Sequence, residues 1–167
     1  RDRKIAFALA AARAAVADAQ ARGERLARHY ATGGGLSLGV GLELFSMADM
    51  VDLLADRPLP ASVHPLEFLQ TPSDVCLHSI CLDHKLSTPP MMHISACAAA
   101  TDAIGTAFRA IREGSRQWML AGGTDSMVNP MGVAGFCKIQ AMTTRNADPK
   151  RASRPFDRDR DGFLLGE

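Results

Sequence analysis

The chain has 167 residues, 47% hydrophobic and 22% charged, with 19 Lys plus Arg against 18 Asp plus Glu and a formal net charge of +1. That length and balance describe a globular protein that buries a core as one domain without help from disulfides or metal. They exclude nucleic-acid recognition through a broad cationic surface, and the longest apolar run, Ile5–Ala12, is far shorter than the roughly 20 residues of a membrane span.

No secretory pattern follows Arg1-Asp2-Arg3-Lys4. The four cysteines, Cys76, Cys81, Cys97 and Cys137, lack the density and spacing of a disulfide framework, so they read as thiols in a reducing, cytoplasmic compartment.

Ile5, Leu9, Ala12, Val16 and Ala19 recur at steps of three and four, which predicts a helix over residues 2–21 with Gly23 as its stop. The alternation in Gly33–Gly41 suits a short strand, Leu44–Leu54 reads as a helix, and the prolines of Arg57–Pro65 mark a loop. Thr71-Pro72-Ser73-Asp74 has the cap, first-turn proline and acidic residue of a helix start, and the helix should reach about Leu86. Met91–Ser95 reads as a buried strand that turns sharply at Ala96-Cys97 into a helix. On that helix Ala100, Ile104, Ala107, Phe108 and Ile111 share one face, up to a stop at Gly114. Trp118–Ala121 forms a second buried strand ending in Gly122-Gly123. Strand, helix, strand in this order predicts an α/β fold with a mostly parallel sheet.

Cys97 stands where a strand gives way to a helix. Free N–H groups and the helix dipole at such a turn favour thiolate and can cradle an oxyanion, and Ala98-Ala99-Ala100 leave room for a substrate. A buried structural thiol is the alternative. Cys76, His78, Cys81 and His84 suggest metal ligands, but on a helix Cys76 and His78 point roughly 160° apart. The segment is better read as a helix packed on two sides, with Val75, Leu82 and Leu86 on one and Cys76, Leu77, Ile80 and Cys81 on the other. No metal site is expected. The glycine stretches match neither phosphate-loop nor dinucleotide spacing, and His29, His64 and His93 stand alone. The tail from Thr143 to Phe163 alternates charge and reads as a solvated loop or one ordered by local Asp–Arg pairs.

Four segments carry a resemblance to a known family: Ser95-Ala96-Cys97-Ala98-Ala99, Met119–Asp125, Asn129–Phe136, and Thr144-Arg145-Asn146 through Ser153-Arg154-Pro155-Phe156-Asp157 to Asp161–Glu167. In order and spacing the chain resembles the β-ketoacyl synthases of the thiolase superfamily, in particular the type that elongates acyl chains on an acyl carrier protein. The resemblance implies a thiolase-like layered fold, of which residues 1–167 would be most of the N-terminal α-β-α half with a mixed, mostly parallel sheet. It further implies that the family's first strand, placed in the middle of that sheet, and the C-terminal half lie outside the chain.

By the same resemblance Cys97 is the nucleophile, and its backbone N–H is half of an oxyanion hole. An acyl group would pass to it from the carrier's phosphopantetheine arm, with no cofactor bound by the chain itself. Decarboxylation of malonyl-carrier would then drive a Claisen condensation in fatty-acid or polyketide synthesis, using two histidines and a lysine of the second half. Leu42 and Phe136 correspond to acyl-tunnel positions. The strand bearing Met91, Met92 and Ile94 would lie at the sheet edge and pair with its twin in a homodimer or a ketosynthase-like heterodimer. A noncatalytic ketosynthase-like subunit and a cysteine hydrolase on another α/β fold are the competing readings; the presence of Cys97 argues against the first.

Overall fold

The computed structural model describes residues 2–22, 33–41, 47–58 and 71–166. Their elements in chain order are α1 (Arg3–Ala21), β1 (Gly34–Val40), α2 (Met47–Leu54), α3 (Pro72–Asp83), β2 (Met91–Ile94), α4 (Ala99–Arg112), β3 (Trp118–Thr124) and α5 (Pro130–Lys138). Gly23, His29, Leu42, Leu44 and the prolines at 60 and 65 lie outside the described residues. The chain divides into two compact units: residues 1–46 with 60–125, and residues 47–59 with 126–167.

The first unit is built on a three-stranded sheet in the order β2-β1-β3, with β1 parallel to both neighbours. Because successive strand residues point to opposite faces, β1 serves two layers. Leu36, Leu38 and Val40 join Ala8 of α1 and Cys76, Leu77 and Ile80 of α3 in one apolar cluster. Ser37 and Gly39 face α4, where the Ser37 hydroxyl donates to the Ala103 carbonyl at 2.9 Å. The result is the expected α-β-α layering.

β1 is hydrogen-bonded on both sides by strands of this chain, in a register that runs unbroken from Gly34↔Trp118 to Val40↔Thr124 on one side and from Ser37↔Met91 to Val40↔Ile94 on the other. Among the described residues no gap is left between these three strands, so a further strand would pair beside β2 or β3.

The start of α3 forms as read. The Thr71 hydroxyl accepts from the Asp74 N–H, and the Asp74 carboxylate accepts from the Thr71 N–H, which is a complete capping box. Its burial differs from the expectation, because α3 buries only the face of Cys76, Leu77, Ile80 and Cys81, while Leu82 is 66% exposed. The helix also stops at Asp83, three residues short of Leu86, with Lys85 in the left-handed region at φ 52°. On α4, Ala99, Ala103 and Ala107 are the buried stripe, whereas Ile104, Phe108 and Ile111 are exposed. The small residues win the sheet-facing side because they let the helix approach the strands closely.

Of the face expected on α1, Val16 is buried and Ile5, Leu9, Ala12 and Ala19 are half-buried, while the other buried residues of the helix are Ala8 and Lys4, which is 0% exposed. Its ammonium lies 3.3 Å from the Asp2 carboxylate, the pairing that a buried cation requires. Arg13 of α1 makes a bidentate pair with Asp83, at 2.7 and 3.0 Å, which ties α1 to the end of α3.

The second unit contains α2, α5 and the charged tail. Helix α5 had not been expected, although Asn129-Pro130 carries its signal: the Asn129 carboxamide oxygen accepts from the Gly132 N–H, and proline opens the first turn. The tail is ordered by the local pairs read from its pattern. Arg145 reaches the Asp161 carboxylate at 3.1 Å and the Asp159 carbonyl at 2.9 Å, and Thr143 donates to Asp161 at 2.9 Å. Partial desolvation works against the Asp161 anion, but these hydrogen bonds and the Arg145 charge together lower its pKa.

Candidate active site

Strand β2 ends at Ile94, and the chain reverses through Ser95 into a single 3₁₀ turn, Ala96–Ala98, that runs directly into α4. Ala96 takes φ 50°, a left-handed conformation that costs a residue with a side chain roughly 1–2 kcal/mol. Such strain persists where the surroundings fix it. Here the Ser95 hydroxyl donates to the Asp102 carboxylate on the first turn of α4, spanning the turn from outside. Cys97 sits at the tip of the turn and is exposed, as is Cys137, whereas Cys76 and Cys81 are buried.

The Ala98 N–H bonds the Ser95 carbonyl and the Ala99 N–H bonds the Ala96 carbonyl. Among the described residues this leaves the Cys97 N–H without an acceptor, as expected for the first donor of a helical turn.

Cys97 opens on a cleft of about 270 Å³ formed by the C-terminal ends of β1 and β3 and the start of α4, and lined by Gly39, Val40, Gly41, Gly123, Thr124 and Asp125 together with Ala96, Cys97, Ala99 and Ala100. Two of these glycines explain why the turn lies where it does. A Cβ on Gly39 would stand 2.3 Å from the Ala99 carbonyl carbon and 2.5 Å from the Ala100 nitrogen, and one on Gly123 would stand 2.8 Å from the Ala100 Cβ. The strand ends thus seat the backbone of α4 directly. Their glycines make room for the helix that carries the thiol.

His93 is not solitary. Its Nε2 lies 3.0 Å from the Ser37 hydroxyl, whose own proton is directed to the Ala103 carbonyl, so His93 is the donor in that contact. Strand β2, strand β1 and α4 are pinned together at this point. Sequence reasoning had no signal for the pair, since Ser37 and His93 are 56 positions apart and meet only through strand register.

Cys76 and Cys81 belong to the buried core. Burial pushes the Cys76 thiol up to about 11 against the opposing pull of Lys4, and burial also raises Cys81. His78 is exposed and His84 is buried at the end of α3. Among the described residues no group of three or more His, Cys, Asp or Glu side chains is placed to hold a metal ion. No described helix is long and apolar enough to cross a membrane. Phe136 belongs to α5 in the second unit, where it meets Phe163 edge-on with ring centroids 5.2 Å apart; Leu42 lies outside the described residues. Met92 and Ile94, 36% and 43% exposed, lie on the edge strand β2, whose partner among the described residues is β1 alone.

Known proteins are similar to this chain. The 3-oxoacyl-[acyl-carrier-protein] synthase 2 of Synechocystis sp. is 34% identical over 167 residues, 99% of this chain and 39% of its own length. Its namesake from Rhizobium meliloti is 35% identical over 164 residues, 98% of this chain and 38% of its own length. The chain therefore spans about two fifths of the curated relatives it matches. A crystal structure of a β-ketoacyl synthase from Burkholderia phymatum superposes with a TM-score of 0.74 at 28% identity, covering 99% of this chain and 40% of that one. A type II polyketide ketosynthase in complex with its acyl carrier protein, bound to the hexaketide, superposes at 0.81 with 23% identity, covering 100% and 42%, a likeness of fold. The family model for the N-terminal domain of β-ketoacyl synthase matches residues 1–167, and the chain belongs to that family.

Proposed function

We propose that the protein carrying this domain is a ketosynthase acyltransferase of fatty-acid or polyketide synthesis that holds its acyl group on Cys97. The observation that supports this most directly is the setting of Cys97: an exposed thiol on a left-handed turn at a helix start, with a free backbone N–H beside it and a cleft in front of it. The substrate would be an acyl thioester on the phosphopantetheine arm of an acyl carrier protein, the partner named in the curated relatives.

In the first half-reaction the Cys97 sulfur attacks the thioester carbonyl, and the Cys97 N–H donates to the developing oxyanion. The bond from the carbonyl carbon to the pantetheine sulfur breaks, and the carrier leaves as the thiol with the proton that Cys97 gave up. A malonyl thioester on a second carrier then loses carbon dioxide. The electron pair of the broken bond becomes a carbanion that attacks the acyl-Cys97 carbonyl, the Cys97 sulfur leaves and is reprotonated, and a 3-ketoacyl thioester two carbons longer is released.

Among the described residues no histidine lines the cleft. We assign the decarboxylation, as the resemblance does, to two histidines and a lysine of the second half, so the chain alone, a partial N-terminal ketosynthase domain, would be inactive in condensation. Leu42 and Phe136 carry over as tunnel positions, and the free edge of β2 at Met91, Met92 and Ile94 as the dimer contact, in a cytoplasmic enzyme. The test is condensation by the full-length protein given acyl-carrier and malonyl-carrier. Carbon dioxide release and 3-ketoacyl product should disappear in Cys97→Ser. Condensation that survives in Cys97→Ser, or that requires a second ketosynthase chain to be added, would contradict the reading, the latter outcome pointing to a noncatalytic subunit.

A further inference from the structure

A serine at the start of a helical turn ordinarily bends its side chain back onto the chain, where the hydroxyl oxygen accepts from a backbone N–H two or three residues on. Ser95 holds that place before the 3₁₀ turn Ala96–Ala98, and the N–H two residues on belongs to Cys97. Ser95 makes no such cap. Its hydroxyl donates instead to the Asp102 carboxylate, seven residues along and in the first turn of α4. The N–H three residues on, that of Ala98, is already taken by the Ser95 carbonyl at 3.1 Å. The Cys97 N–H is therefore the donor that a released Ser95 hydroxyl would meet.

We propose that Asp102 is a positioning residue for the oxyanion donor: by holding the Ser95 hydroxyl it keeps that hydroxyl off the Cys97 N–H, which stays free to donate to the thioester oxygen. The inference rests on the acyl-enzyme reading of Cys97, and it adds a residue that lies outside the cleft lining and acts through Ser95. The turn has supports that use neither side chain: the Ala98 and Ala99 N–H bonds, and the seating of α4 on Gly39 and Gly123. Truncating Ser95 or Asp102 thus removes the restraint on the hydroxyl and leaves the path of the turn in place.

The test follows two reactions of Cys97 side by side in the full-length protein. Acylation by a neutral acyl-carrier thioester develops an oxyanion, whereas alkylation by iodoacetamide displaces iodide at a saturated carbon and develops none. In Asp102→Ala the freed hydroxyl caps Cys97 and must be displaced before the oxyanion can take the N–H, so acylation should slow roughly 5- to 30-fold, in kcat rather than in KM. Alkylation should stay within about twofold of wild type, because it makes no use of that donor. Adding Ser95→Ala to Asp102→Ala should return acylation to within about twofold of wild type, since the hydroxyl that closes the N–H is then gone, and Ser95→Ala alone should do the same. Asp102→Asn keeps an oxygen that accepts from Ser95 and should behave as wild type. Should Asp102→Ala fail to fold, Ser95→Asp closes the same N–H by another route, because its carboxylate is a strong cap and is repelled by Asp102; it too should slow acylation and spare alkylation.

A double variant no faster than Asp102→Ala, alkylation that falls in step with acylation, or wild-type acylation in Asp102→Ala or Ser95→Asp overturns the inference while leaving the acyl-enzyme reading intact. Wild-type protein that forms no acyl adduct on Cys97 overturns that reading and this inference with it.

Discussion

Replacing Gly39 by Ala should displace the thiol without touching it. The added Cβ would meet Ala99 C at 2.3 Å, Ala99 O at 2.4 Å and Ala100 N at 2.5 Å, all backbone atoms at the start of α4. To reach ordinary contact the helix start must retreat by roughly 1 Å, and overpacking of this kind costs about 1–3 kcal/mol. Removing a glycine from the unfolded ensemble returns about 0.5–1 kcal/mol, so the net loss should be about 0–2.5 kcal/mol, or a fall in Tm of up to roughly 10 °C for a chain of 167 residues. Acyl transfer should fall further, by about 10- to 100-fold, because a shift of roughly 1 Å in a reacting group is costly to rate. Gly122→Ala is the control: a Cβ there meets nothing within 4 Å. Differential scanning calorimetry and the rate of Cys97 acylation would be compared across the two variants. If Gly39→Ala matched Gly122→Ala in both, the argument that glycine seats the nucleophile turn would be wrong.

Brief labelling with iodoacetamide should modify Cys97 before Cys137 and well before Cys76 and Cys81, which are buried and have raised pKa values; mass mapping that found Cys76, Cys81 or Cys137 first would contradict this. Burial pushes the Cys76 thiol up to about 11 from its ordinary 9.0, so the unfolded chain loses this proton first and stability should fall as pH rises from about 9 to 11. Cys76→Ala should show a smaller fall in Tm over that window, and equal slopes would refute the assignment. Thr71→Ala removes the capping box of α3 and should cost about 1 kcal/mol by denaturant unfolding. Ile94→Lys places a charge on the free edge of β2 and should convert a dimer to monomer in light scattering, whereas an unchanged dimer would exclude that edge as the contact.

What the sequence made legible was local. The cap at Thr71, the strand-to-helix turn at Cys97 and the stop at Gly114, which lies at φ 75°, are each written in a few adjacent residues. What it hid depends on which face an element turns toward its neighbours. The apolar pattern of α4 pointed to Ile104, Phe108 and Ile111, yet the alanines at 99, 103 and 107 take the sheet side because glycine strands demand close approach. Leu82 misled in the same way on α3.

Long-range pairs were equally out of reach. Nothing near Lys4 announces that it is buried against Asp2, and nothing near Ser37 announces His93 or Ala103. Of the candidate site, Cys97 could be read from its turn and its family resemblance. The glycines that seat it became visible only when β1 and β3 were brought into register.

The central claim is that Cys97 carries the acyl group, and the most direct measurement is intact-peptide mass spectrometry of the full-length protein after brief exposure to a neutral acyl-carrier thioester with no malonyl donor. The account predicts a single acyl adduct on the peptide containing Cys97, absent from Cys97→Ser. An adduct on another residue, or an unmodified Cys97 in protein that retains condensing activity, would contradict it.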